Sequence, residues 1–316
     1  MKNTQLIFAT VLIGTCLFPL ACTYKSHASI AHRNEDNGAH KIDYDSIFAD
    51  NTGFNEREVI DKKIEIADGT VVSVIGVDGS LEVEATDSNV AEIHIARFGR
   101  NKAILKKQQV TIEYRKFKEV EPYFLEIRCD STKGKLRFLW DEIIGSDDLR
   151  SHVTLKLPRN VNFHATAING RVNVAALDGT VNGGSINGSL TIAKTTGRPQ
   201  FVGINGNVKA NISGIDPERG IRLLAINGDV ELRFVDVVNA KINAQNVNGR
   251  VAANFPKVQI EKQEPTNYQA VVGTGGPEIF ISELNGNVTL APLQKTDNKK
   301  MASTIPGHQL AKLEGQ

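Results

Sequence analysis

Two carboxylates, Asp229 and Glu231, are the pair in this sequence best spaced for acid–base chemistry. Residues two apart on a strand point to the same face, and paired carboxylates on one face can cleave a glycosidic bond. Arg233 continues the same face. The pattern favours a solvated, charge-balanced strand surface, so a polysaccharide-active enzyme is the least favoured function.

The sequence completes none of the common catalytic or metal-binding motifs. No His-Glu-x-x-His occurs, and the seven histidines are scattered, which argues against zinc. The stretch Gly183–Asn187 lacks the last glycine of a nucleophile elbow, and Gly273–Glu278 fails the dinucleotide fingerprint. Calcium-binding β-rolls use Gly-Gly-x-Gly-x-Asp repeats, which are absent here. The sequence predicts no catalytic residue, no cofactor and no metal.

The first residues are typical of an export signal. Lys2 precedes the apolar run from Leu6 to Ala21, which is short for a membrane span. Cleavage before Ser29 would release the chain, whereas cleavage before Cys22 would follow a lipoprotein-like pattern and make Cys22 the lipid-attachment residue. The sequence leaves both open.

An Asn-Gly pair recurs through the second half of the chain, each time as apolar, Asn, Gly, polar, apolar, polar, apolar. Self-similarity at about 18 to 22 residues indicates a repeat architecture. Asp78–Gly79 is an early copy in the same frame. Asn-Gly is suited to positive φ in a tight turn. The predicted structural turn residues are Asn169, Gly170, Asn187, Gly188, Asn205, Gly206, Asn227, Gly228, Asn248, Gly249, Asn285 and Gly286.

The period-two alternation after each pair predicts a strand with one buried face. Two architectures fit: a single-stranded β-solenoid, and an antiparallel meander closed by Asn-Gly hairpins. The solenoid is favoured, because only alternate turns are Asn-Gly. Each repeat would then stack on its predecessor, and the asparagines would form a hydrogen-bonded ladder; a sugar-binding row is the alternative role. The expected outward rows are Arg171, Ser189, Asn207, Asp229, Arg250 and Asn173, Thr191, Lys209, Glu231, Ala252.

These Asn-Gly-x-Val-x-Val repeats, together with Leu155–Pro158 and the export signal, resemble the DUF4097 family of adhesin-type proteins. The similarity covers about residues 58–292. It implies a single-stranded β-solenoid, an extracytoplasmic location, and a role in adhesion or in the envelope. The family offers no catalytic residues to transfer.

Five segments are expected along the chain: a signal peptide at 1–28, a flexible linker at 29–57, a β-rich section at 58–150, the Asn-Gly repeats at 151–292 and a disordered tail at 293–316. A loop from Pro256 to Pro277 is expected to interrupt the repeats. With 316 residues, 41% of them hydrophobic, the chain can bury a core.

The sequence favours a non-catalytic extracytoplasmic protein, an adhesin or an envelope interaction module. An envelope-stress sensor that binds a regulatory partner is the alternative. The expected partner is an envelope, surface or glycan component of unknown identity. A net charge of +1 predicts no attraction to nucleic acid, and membrane contact would come only through lipid on Cys22.

Overall fold

The structure is a computed structural model that describes residues 53–107, 109–117, 120–131, 149–235 and 238–293. The predicted signal peptide with Cys22, nearly all of the predicted linker and tail, and part of the β-rich section expected at 58–150 lie outside these residues. Within them, no helix has both the length and the apolar character needed to cross a membrane.

The described residues form strands with a single short helix, so the all-β prediction is confirmed. The strands belong to one 19-stranded mixed sheet. Helix α1 spans Lys102–Lys107. The strands are β1 (Glu56–Glu65), β2 (Val71–Thr86), β3 (Val90–Gly99), β4 (Gln109–Phe117), β5 (Val120–Ser131), β6 (Leu149–Pro158), β7 (Asn162–Ala176), β8 (Val181–Asn187), β9 (Leu190–Thr195), β10 (Gln200–Asn205), β11 (Val208–Ile212), β12 (Ile221–Asn227), β13 (Val230–Phe234), β14 (Ala240–Asn248), β15 (Val251–Ala253), β16 (Val258–Gln263), β17 (Tyr268–Val272), β18 (Glu278–Asn285) and β19 (Val288–Pro292).

The Asn-Gly repeats pair with one another in parallel and in register. The strand before each Asn-Gly belongs to what we term the pre-turn row, in which β7, β8, β10 and β12 align Ile168, Ile186, Ile204 and Ile226. The strand after it belongs to the post-turn row, formed by the second half of β7 with β9, β11 and β13. Each repeat thus crosses the body twice.

The order of the repeats departs from the expectation that each stacks on its predecessor. Strand β18 lies between β12 and β14, and β19 lies between β13 and β15. Chain length permits this: five residues separate Phe234 from Ala240 and can reach roughly 16 Å, while two strand spacings are about 10 Å. After β13 the chain therefore leaves one strand position open in each row, and β18 and β19 later occupy these two positions.

The expected loop from Pro256 to Pro277 is instead largely a hairpin. Strands β16 and β17 pair antiparallel, and β17 pairs antiparallel with β14. The buried residues of β17 are Tyr268, Ala270 and Val272. This period-two alternation is present in the sequence, but the glycine-rich stretch from Gly273 to Gly276 that follows it favoured the prediction of a loop. The hairpin covers the edge of β14 and returns the chain to the gap that β18 and β19 fill.

Strand β2 extends the body on the other side of β7. Asp78–Gly79 aligns with Asn169–Gly170, as the early copy predicts. Strands β5 and β6 pair in parallel with the two halves of β2. Antiparallel strands follow them: β4 lies beside β5, β3 lies beside β6, and β1 lies beside β3. The sheet is therefore parallel through the repeats and antiparallel towards its ends.

The inward side chains of both rows pack into one hydrophobic cluster. Its largest members include Phe163, Phe201 and Phe234, each at most 2% exposed. Fully burying a Val, Ile, Leu or Phe side chain stabilises the fold by about 1.5–3 kcal/mol. The alternating residues between them face outward and form the exposed rows of the sheet.

Each repeat also contains a left-handed residue two positions before its Asn. The φ angles there lie between +51° and +66°, and five of the six residues carry side chains. A left-handed conformation costs an ordinary residue about 1–2 kcal/mol, so the stacked body must offset this strain. The residues are Ala167, Ser185, Gly203, Ala225, Glu283 and Asn246.

Candidate functional site

The predicted asparagines form a continuous ladder of side-chain amides. The Nδ2 of Asn187 donates to Oδ1 of Asn169 at 3.0 Å, and Asn205 and Asn227 each repeat that bond to the preceding member. Asn285 then bonds Asn227 at 3.1 Å, and Asn248 bonds Asn285 at 3.0 Å. Each interior amide both donates and accepts within the column, which makes the column a stabilising element of the body.

The glycines that follow the asparagines stack with their backbones in contact. Their φ angles lie between +147° and +156°. A Cβ on any of the six would fall within 2.3 Å of the carbonyl oxygen of the glycine in the neighbouring repeat. The glycines are Gly170, Gly188, Gly206, Gly228, Gly286 and Gly249. The column therefore excludes every other residue type on steric grounds.

Asp229 and Glu231 are both engaged by neighbouring protein groups. Oδ1 of Asp229 accepts from the backbone N–H of Asn287 at 2.8 Å. Glu231 Oε1 lies 2.6 Å from Nη2 of Arg233, and Oε2 lies 3.7 Å from Nζ of Lys209. The contacts with Asn287 and Lys209 join the carboxylates to neighbouring repeats, whereas Arg233 lies on the same strand as Glu231. Each carboxylate lies in the outward row predicted for it. The structure adds Asn287 to that row after Asp229, and Thr289 to the other row after Glu231.

One serine–histidine pair was not anticipated from the sequence. Ser80 Oγ lies 2.8 Å from Nδ1 of His152. The two residues are directly opposed on the parallel strands β2 and β6, and the ring of Phe98 meets the imidazole edge-on at 6.0 Å. Among the described residues, no group of three or more His, Cys, Asp or Glu side chains could bind a metal ion. This pair acts as a cross-strand contact.

We expect His152 to make the fold less stable in acid. Burial, and secondarily the charge of Arg150, lower the pKa of His152 from 6.5 to about 4. The unfolded chain therefore binds a proton more readily, so stability falls as pH drops from 6.5 towards 4. Denaturant melts at pH 6.5 and pH 4 should show that the free energy of unfolding falls more for the wild type than for His152→Gln. Equal losses would contradict this role.

A concave feature with a distinctive charge lies on the outward face of the pre-turn row. We term it the arginine cleft: a depression of about 440 Å³ lined by Arg198, Arg219, Ile221, Arg222, Glu278 and Phe280. Its charged groups are three guanidinium groups and one carboxylate. A cluster of arginines suits planar, bidentate recognition of carboxylate, sulfate or phosphate groups.

Two hydrogen-bonded corners place Arg198 and Arg219 at the cleft. The N–H of Gly197 donates to the carbonyl oxygen of Gly214 at 3.1 Å, and the N–H of Asp216 donates to that of Gly197 at 2.7 Å. The side chain of Asp216 then accepts from the backbone N–H of Arg219 at 3.0 Å. Adjacent repeats thereby present both arginines on one side of the body.

The cleft exists because one repeat is longer than the two repeats that precede it. Asn187 and Asn205 are 18 residues apart, whereas Asn205 and Asn227 are 22 apart. The additional length forms the turn at Asp216 to Gly220 that carries Arg219. The changed spacing is visible in the sequence and is the signal from which the site could have been predicted.

Comparisons with known proteins give distant structural likenesses. No protein-family model matches the sequence, and no curated protein matches it. A putative cell adhesion protein from Clostridium sporogenes is 14% identical with a TM-score of 0.41, covering 75% of this chain and 100% of that one. A putative adhesin from Bacteroides fragilis is 11% identical with a TM-score of 0.26, covering 74% and 97%. One from Parabacteroides distasonis is 17% identical with a TM-score of 0.25, covering 75% and 97%.

Proposed function

We propose that this chain is a non-catalytic, extracytoplasmic binding module of the adhesin type, built on a β-solenoid body. The arginine cleft is the observation that carries the proposal. It places three arginines on the outward face of a body on which the ladder asparagines bond to one another and Glu231 pairs with Arg233. Solenoid bodies suit this role because they present long, regular surfaces.

The in-register pairing supports the solenoid. Parallel pairs join equivalent residues of successive repeats in both rows, and the asparagines and glycines stack in columns along the same direction. The same Asn-Gly-x-Val-x-Val repeats support membership of the DUF4097 family. In this interpretation the antiparallel strands β16 and β17 close one end of the repeat body.

The location is inferred from the first residues. The charged start and the short apolar run from Leu6 to Ala21 support export by a signal peptide. Cleavage before Cys22 would add lipid and tether the body to a membrane, whereas cleavage before Ser29 would free it. Membrane fractionation of a Cys22→Ser variant separates the two routes, because only the acylated protein would be released by the substitution.

We expect the purified protein to bind surface material and leave it intact. The test measures binding to envelope fractions of the producing bacterium and to immobilised neutral and acidic polysaccharides, with polymer length followed in the same samples. Saturable binding to at least one surface and unchanged polymer length are expected. If the protein binds none of these materials saturably, the proposal is refuted. If the polymer becomes shorter, the protein is a polysaccharide-cleaving enzyme.

A further inference from the structure

Resting on the proposed function, we infer that the arginine cleft binds the oxyanion groups of an acidic polysaccharide. The bound group is a carboxylate or a sulfate carried by a sugar chain that lies along the outward face. Three features of the cleft lead to this inference: its fixed arginines, their lack of carboxylate partners, and its position within a row of amide side chains.

Two of the three guanidinium groups, those of Arg198 and Arg222, are held in place before any ligand arrives. With the Gln200 amide oxygen turned towards Arg198, that oxygen accepts from Nε and Nη2 of Arg198, both at 2.8 Å. The guanidinium carbon of Arg222 lies 5.8 Å from the centre of the Phe280 ring, a cation–π contact. Side chains ordered in this way lose less entropy on binding.

The cleft arginines differ from many others in the described part of the chain. Arg97, Arg159 and Arg233 each pair with a carboxylate within 2.7 Å. No ion pair joins Arg198, Arg219 or Arg222 to a carboxylate among the described residues. The Oε1 of Glu278 instead accepts from Nδ2 of Asn243 at 2.9 Å. The positive charge in the cleft therefore remains available to an anion.

The surroundings favour a sugar chain over an isolated anion. Arg222 is directly opposed to Gln200 on one side and to Phe280 on the other, and the row continues to Asn182 and Asn243. The Nδ2 group of each asparagine makes one bond in the structure, with His164 or Glu278, and an amide has two N–H donors. The remaining donors can meet sugar hydroxyls on either side of an oxyanion.

The experiment titrates the full-length protein with polygalacturonate, dextran sulfate, neutral dextran and inorganic sulfate. The variants are Arg198→Gln and Arg222→Gln. Arg250→Gln is the matched control, because it removes the same charge from an exposed position on the repeat body outside the cleft. Melting temperatures equal to wild type establish that the variants fold.

We expect at least one acidic polymer to bind, neutral dextran not to bind, and each cleft variant to weaken binding by about tenfold or more, since hydrogen bonds to charged groups are worth about 1.5–3 kcal/mol. Arg250→Gln should stay within about twofold, and binding should weaken with added salt. Comparison of the two polymers assigns the carboxylate or sulfate preference.

Three results would overturn the inference. Equal losses in all three variants would mean non-specific charge attraction, and inorganic sulfate as effective per group as dextran sulfate would mean a site for the free anion. Binding to envelope material that no cleft variant changes would place recognition elsewhere. In that last case the proposed binding function stands and only the inference about the arginine cleft is refuted. If the protein binds no surface at all, the proposed function and the inference are both refuted.

Discussion

Gly206→Val is expected to destabilise the protein by more than about 4 kcal/mol, a loss beyond that of most single substitutions. The φ angle of Gly206 is +151°, and a Cβ there would lie 2.0 Å from the carbonyl oxygen of Gly188. The same column continues to Gly228, whose own Cβ position lies 2.3 Å from the oxygen of Gly206. Relief of one clash would therefore displace the next repeat. Denaturant-induced unfolding measures the loss.

Two variants separate the steric contact from backbone strain and from loss of a surface group. Gly203→Ala adds a Cβ at φ +66°, where the nearest atom would be 3.6 Å away, so strain alone should cost about 1 kcal/mol. Lys209→Thr changes an exposed side chain and should stay within about 0.5 kcal/mol. If Gly206→Val costs no more than Gly203→Ala, the glycine stack is not as close as described.

The Asn-Gly turns and the inward residues were predictable because their chemistry is local. A glycine after Asn marks a turn wherever it occurs, and the alternation at Val208, Ala210 and Ile212 defines a buried face without knowledge of any neighbour. In-register pairing of Val208 with Val230 then follows from stacking like residues.

The left-handed column could not be predicted in the same way. Ala225 and Glu283 have no preference for positive φ, and they adopt it because the stacked repeats on either side impose it. The arginine cleft was missed for a related reason. Its residues come from different repeats, and they meet only because one corner is longer than the next.

The order in which the last repeats pair could not be predicted from the sequence either. The copies at Asn227, Asn248 and Asn285 share the same template, so any of them can stack on any other with equivalent hydrogen bonds. What selects the observed order is the connection: the hairpin β16–β17 pairs with β14 and returns the chain between two repeats. Connection geometry of this kind has no local signature.

Cysteine cross-linking should report this order as an all-or-none difference. In residues 29–316 with Cys129→Ala, the pair Glu231→Cys and Thr289→Cys should form a disulfide, because these residues are directly opposed on adjacent strands. Adjacent strands are about 4.8 Å apart, within the Cα separation that a disulfide requires. The pair Glu231→Cys and Ala252→Cys should not form one, because β19 separates their strands.

The pair Ala252→Cys and Thr289→Cys serves as the control, since these positions are neighbours whether the repeats stack in the observed order or in chain order. Its oxidation shows that the conditions and the folded state permit a bridge on this face. If the 231–252 pair then forms a disulfide and the 231–289 pair does not, the repeats stack in chain order. In that case β18 and β19 are not inserted, and the pairing of Arg222 with Phe280, which fixes Arg222 in the cleft, is lost with the insertion.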